Sequence, residues 1–121
     1  KAAAPADYRV KQKSSQKIKA ETLSLELEKN ADIAAEAGKR KGDKKLVVFA
    51  AESENLLRNA AQKLKKKNAD MIVANDITKE GAGFDTDTNI VTIIKADGQM
   101  KSLPLMTKRE LSDIILDEIL K

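Results

Sequence analysis

"LVVFAAESENLLRNAAQKLKKKNADMIVAND", residues 46–76, is the stretch whose reading decides the fold. It opens on a continuous apolar run of strand length, Leu46 to Ala51, and ends on a second, Met71 to Ala74. Between them Ser53 offers a cap for a helix reaching to about Lys67. Two short apolar runs around a helix predict a strand-helix-strand unit, hence parallel strands with a right-handed crossover. At about 100° per residue, Leu56, Leu57, Ala60, Ala61 and Leu64 form the apolar arc of that helix. Lys67 falls inside the arc and Lys63 at its edge, whereas Lys65 and Lys66 point to water. A lysine beside a low-dielectric wall either extends its ammonium to the surface or meets an anion. At about 4 Å and an effective dielectric near 20 the charge pair is worth about 4 kcal/mol before desolvation.

Working outward, residues 8–13 and 22–28 read as two strands. In "LSLELE", Leu23, Leu25 and Leu27 alternate with polar residues, the period of a sheet with one wet face. The polar, basic "SSQKIKAE" between them reads as a hairpin loop or flap on which Lys17 and Lys19 point the same way. Asn30 offers an N-cap for a short helix through Ala31, Ile33 and Ala34 that stops near Gly38. Beyond the central unit, Ile90 to Ile94, the turn Asp97-Gly98 and Met100 to Leu103 predict an antiparallel hairpin. Thr107-Lys108-Arg109-Glu110 is a capping box opening a helix whose Leu111, Ile114, Ile115 and Ile119 share a face. The expected architecture is an α/β domain: a mixed sheet with a parallel strand-helix-strand core flanked by helices, divided into a hairpin and flap (8–28) and a core (30–121). The first residues, "KAAAPADYRV", read either as the end of a strand or as a frayed terminus.

A chain of 121 residues fits one domain that buries roughly 65 to 70% of its unfolded surface. With no Cys and no His, thiol nucleophiles, imidazole bases, disulfides and the usual zinc ligands are excluded together. Chemistry rests on Lys, Arg, Asp, Glu, Asn, hydroxyls and backbone amides. A net charge of +4 suits a polyanion, a nucleotide triphosphate as well as nucleic acid. One Tyr, two Phe and no Trp, with acids interspersed along the chain, argue against a nucleic-acid binder that uses "KLKKK" and "KRKGDKK". No apolar stretch approaches a membrane span or a signal peptide, so the expectation is a cytoplasmic protein without membrane contact.

In open α/β sheets ligands sit beyond the carboxyl ends of the parallel strands, here Phe49 to Glu52 and Asn75 to Asp76. Capping and loop solvation are the ordinary roles for Glu52 and Asp76 at such positions. The acid-rich loop that follows, "GAGFDTDTN", lacks calcium-loop spacing, so Asp85 and Asp87 read as turn residues and no residue is assigned to a metal.

Seven segments, "AAAPADYR", "QKIK", "NADI", "VVFAAE", "KLKKKNADMIVAND", "GAGFDTDTN" and "LPLMTKRE", occur in this order across the chain. Together they resemble the phosphopantothenate-cysteine ligase domain of the bifunctional flavoprotein of coenzyme A biosynthesis. The resemblance implies a Rossmann-like ligase fold, with CTP and Mg²⁺ converting the carboxylate of 4′-phosphopantothenate to an acyl-cytidylate that the amine of cysteine attacks. It implies Lys17 as the catalytic lysine on a closing flap. CTP contacts are implied at Asp7, Lys17, Asn30, Ala31, Asp32, Ile33, Phe49, Lys63 and Lys67, and a substrate contact at Asn75. It further implies a homodimer, with the hairpin of residues 8–28 as the contact. Ala20 stands where the family's Lys-x-Lys-Lys motif carries its last lysine, so one phosphate contact of the flap lacks its counterpart. The glycine-rich half with "GGT" and the Asn of an "SxGxMG"-like loop has no counterpart here, so the resemblance is to the C-terminal portion, expected to be inactive alone. A noncatalytic nucleotide-binding or regulatory module on the same fold is the alternative.

Overall fold

The computed structural model describes residues 3–82 and 86–121, which form two compact units, one up to Ile33 and one from Ala34. The expectation for Asp85 lies outside the described residues. In the first unit β1 (Tyr8–Val10) pairs antiparallel with β2 (Leu27–Lys29), Tyr8 opposite Lys29 and Val10 opposite Leu27. Both strands are shorter than the sequence predicts. Among the described residues of this unit there is no second layer against which a two-stranded ribbon could bury its apolar period. Leu23, Leu25 and Leu27 are accordingly exposed, the first two outside any strand. Polar cross-strand contacts hold the ribbon: Arg9 to Glu28 at 2.7 Å, Lys11 to Glu26, and the Lys29 ammonium 6.0 Å from the Tyr8 ring centroid.

The second unit follows the sequence expectation closely. After α1 (Ile33–Arg40), which begins on the last residue of the first unit, come β3 (Val47–Glu52), α2 (Leu56–Lys66) and β4 (Met71–Asp76). The short β5 (Thr88–Asn89) precedes β6 (Val91–Lys95), β7 (Met100–Ser102) and β8 (Met106–Thr107), and α3 (Lys108–Leu120) closes the chain. The main sheet is mixed, in the order β3-β4-β6-β7. β3 and β4 are parallel, with Val47 opposite Met71, and the other two pairs are antiparallel. A second ribbon joins β5 to β8.

Each sheet face has its own helix. Ala50, Ile72, Ala74 and Ile94 pack with Ala60 and Leu64 of α2. On the other face Met71, Val73, Val91 and Ile93 pack with Leu111 and Ile115 of α3. β4 is therefore covered on both sides, which is why its sequence is an unbroken apolar run. Fully burying Ile72, Val73 and Ile93 contributes about 1.5–3 kcal/mol each. β3, by contrast, is an edge strand whose Phe49 is 69% exposed.

Two helix starts correct the sequence reading. Ser53 does not cap α2: the strand runs on through Glu52, and α2 begins after Asn55, which is in the left-handed region with φ 48° and makes no side-chain cap bond. Asn tolerates that conformation, so Ser53 to Asn55 form a bend before the helix. Asn30 does not cap α1, which starts at Ile33; its amide donates instead to the Ala6 carbonyl at 2.7 Å. The predicted capping box at Thr107 and Glu110 is present, as is the Asp97-Gly98 turn, where Gly98 takes φ 92°.

Candidate functional site

At the carboxyl end of β3 the backbone alternation that sends Val48 and Ala50 under α2 sends Glu52 there too. Glu52 is only 8% exposed, and its Oε1 takes the Lys63 ammonium at 2.6 Å. The Asn59 amide reaches its second oxygen at 3.5 Å. Glu52 is thus a buried ion-pair partner, neither a cap nor a solvated loop residue. Eleven positions separate it from Lys63, and only the bend at 53–55 makes them meet.

Asp76, at the corresponding end of β4, does play the ordinary role. It accepts the Thr78 hydroxyl at 2.6 Å and the Thr78 N–H at 3.1 Å. The hydroxyl bond chiefly, aided by the N–H and Lys79, holds its carboxyl below the usual range. Asn75 donates to the Ala82 carbonyl at 2.8 Å, while its buried Oδ1 has no partner; the Oδ1 of Asn89 is in the same condition. Asp87 is exposed, its carbonyl accepting the Lys108 N–H at 2.9 Å.

The helical wheel separates the α2 lysines correctly: Lys63 and Lys67 are half-buried, Lys65 and Lys66 exposed. Lys63 meets the strand-tip expectation through Glu52, whereas Lys67 does not. Because α2 runs back against β3, Lys67 caps its far end, next to Ala69 and Asp70, where β4 starts. There Asn68 takes φ 49°, the Ala69 N–H bonds the Leu64 carbonyl, and the Asn68 amide reaches the Gly38 carbonyl at 3.0 Å. A Cβ on Gly38 would lie 1.8 Å from the Lys67 carbonyl oxygen, so glycine is what lets α1 approach the end of α2. Phe49 lies on the opposite sheet face from both lysines, in register with Val73. The second unit thus brings together Glu52 and Lys63, with Lys67 one turn further on, and leaves Phe49 apart.

In the first unit Asp7 is exposed, and its carbonyl accepts the Asn30 N–H at 2.8 Å, so the segments holding Asp7 and Asn30 are joined. Ala31 and Asp32 are exposed between β2 and α1, and Ile33 is the exposed first residue of α1. Lys17 sits exposed in the loop between β1 and β2.

A groove of about 830 Å³ opens at the other end of the sheet, floored by Met71 and Ile93 and rimmed by Lys45, Lys95 and Lys101. Two of its carboxylates already have partners. Glu118 takes Lys95 at 2.8 Å, Lys101 at 3.0 Å and Lys121 at 3.1 Å, and these bonds hold its carboxyl at about 2. Asp70 accepts Lys41 at 2.8 Å and the Leu46 N–H at 2.7 Å; burial works to raise its pKa, and these bonds still leave it lowered.

Over residues 1–121 the chain matches the family described as DNA/pantothenate metabolism flavoprotein C-terminal domain. It is 46% identical to the coenzyme A biosynthesis bifunctional protein CoaBC of Bacillus subtilis (strain 168), covering 98% of this chain and 30% of that protein. Identity to the Escherichia coli (strain K12) protein of the same name is 40%, over 97% of this chain and 30% of that one. A cysteine/cysteine sulfinic acid decarboxylase from an unknown prokaryotic organism is 42% identical, over 98% of this chain and 34% of its own length. The chain thus spans about a third of these curated relatives. Among solved structures, the C-terminal domain of a CoaBC protein superposes with a TM-score of 0.73 at 40% identity, covering 97% of this chain and 50% of that one. The DNA/pantothenate metabolism flavoprotein of Streptococcus pneumoniae gives 0.66 at 25% identity, with 83% and 42% covered. A match along its whole length, relatives well above 30% identity and a shared mixed α/β fold leave one conclusion: the chain belongs to the DNA/pantothenate metabolism flavoprotein C-terminal domain family.

Proposed function

We propose that this chain is the CTP-binding, C-terminal portion of a phosphopantothenate-cysteine ligase acting in coenzyme A biosynthesis in the cytoplasm. The observation that carries the reading is the α2 edge: Lys63 and Lys67, the two lysines the family resemblance assigns to CTP, are the two half-buried ones, one helical turn apart. That spacing, about 5–6 Å between side-chain origins, suits one extended nucleotide. In the reaction the carboxylate of 4′-phosphopantothenate attacks the α-phosphorus of CTP and pyrophosphate leaves. The amine of cysteine then attacks the acyl-cytidylate carbonyl and CMP leaves. Such steps depend on positioning and charge neutralisation, which lysines provide. Lys17 stabilises charge at the acyl-cytidylate step, Asp7 and residues 30–33 contact the nucleotide, Phe49 reaches it around the open flank of β3, and the unpartnered Oδ1 of Asn75 supports a role for it at the substrate.

Mg²⁺ belongs to this reading as the companion of the triphosphate. Among the described residues no three acidic side chains gather into a cage for it, so the triphosphate itself would supply most of the metal's ligands. The exposed Leu23, Leu25 and Leu27 support the hairpin as the homodimer contact. Calorimetric titration with CTP against ATP tests the proposal: heat of binding with CTP and a much weaker response to ATP are expected, and equal or absent responses would count against it. The 121-residue chain alone is expected not to form 4′-phosphopantothenoylcysteine.

The identity to a protein named as a decarboxylase favours a second reading, a noncatalytic nucleotide-binding or regulatory module shared between enzymes. Lys17→Ala in the gene product that contains this chain separates the two, since a ligase loses turnover and a module has none to lose.

A further inference from the structure

We infer that Glu52 is a specificity-determining positioning residue: it neutralises Lys63 and fixes its ammonium, so that Lys63 donates to a neutral carbonyl of the nucleotide base and not to a phosphate. The inference rests on the nucleotide reading above and assigns a role within it.

The two partners are unequally placed. The Glu52 side chain is 9% exposed and takes Lys63 at 2.6 Å, whereas the Lys63 side chain is 44% exposed. The acid is the anchor and the lysine faces outward. Glu52 is itself held, since its backbone carbonyl accepts the Ile77 N–H at 3.2 Å beyond the end of β4. An ammonium has three N–H donors; one is spent on Glu52, and the open side leaves donors for a ligand. A lysine this close to a carboxylate forms a pair with no net charge, so it draws a phosphate weakly and loses little by donating to a neutral acceptor. An apolar pair would hold α2 on β3 equally well, because burying a carboxylate carries a desolvation penalty that its partner only offsets. Placing such a pair at the carboxyl end of a parallel strand therefore fits a ligand-facing duty better than a purely structural one.

The experiment measures binding of CTP and of inorganic tripolyphosphate, which has no base, to the gene product that contains this chain. The comparison uses wild type, Glu52→Gln, Lys63→Met and the double variant, with far-UV circular dichroism to verify folding. Lys63→Met should weaken CTP by about tenfold or more, the loss of one hydrogen bond from a charged donor, and leave tripolyphosphate nearly unchanged. Glu52→Gln should also weaken CTP, and the double variant should be no worse than Lys63→Met alone, because Glu52 acts through the lysine. The double variant carries no charge at either position, so it reads out Lys63 even if one single variant folds poorly. Equal loss of CTP and tripolyphosphate on replacing Lys63 overturns the base-reading role, and additive losses overturn the action of Glu52 through Lys63. If wild type binds tripolyphosphate but not CTP, or neither, the nucleotide reading itself fails.

Discussion

The two ends of the main sheet treat their polar groups in opposite ways. At the amino ends of β3 and β4, the two carboxylates Asp70 and Glu118 are amply matched: Asp70 has Lys41 and the Leu46 N–H, and Glu118 has three lysines. At the carboxyl ends the matching is incomplete. Glu52 has Lys63, which remains open on its outer side, and the buried Oδ1 atoms of Asn75 and Asn89 accept nothing. A saturated network holds a fold, whereas unmet hydrogen-bonding capacity near a strand end is where a ligand can add something. A groove at the saturated end is therefore a weaker site than its size suggests.

The strongest attempt to break this contrast is Asp70→Ala, which strips partners from the Lys41 ammonium and the Leu46 N–H together. It should destabilise the chain by about 2 kcal/mol in urea unfolding and leave CTP affinity unchanged. A loss of CTP binding with stability intact would reverse the roles of the two ends. Asn75→Ala sharpens the contrast from the other side. It removes an orphaned acceptor but also strips the Ala82 carbonyl of a donor, so it should cost about 1 kcal/mol, and on the proposed ligase reading it should raise the KM for 4′-phosphopantothenate. The effect that is smallest in acid belongs to Glu118→Gln. Because the folded carboxyl titrates at about 2 against an ordinary 4.5, the stability it contributes is fully present above 4.5 and is lost as the pH falls towards 2. Thermal unfolding across that window should show a shallower decline in Glu118→Gln than in wild type.

Signals local to one element were legible in the sequence. The apolar runs of β3 and β4, the turn at Asp97-Gly98, the capping box at Thr107 and the division of the α2 lysines all depend on spacings within a few residues, and all are present. What escaped depended on partners distant in sequence. Asn30 looks like a cap until the Ala6 carbonyl, 24 positions away, takes its amide. Glu52 looks like a loop acid until the bend after β3 folds it beneath α2. Ser53 has the right chemistry for a cap and was displaced because the strand, paired to Asp76, runs one residue further. The strands expected at 8–13 and 22–28 exceed those observed for a related reason: alternation describes what a sheet could bury and says nothing about what it is buried against.

β3 has no neighbour on its outer flank among the described residues, and it displays Phe49 beside that row of free amide and carbonyl groups. Such a flank is a template for further strands, and no proline or lysine within β3 guards it. Self-association of the isolated chain should therefore grow with concentration, making dilution a controlled variable in every titration.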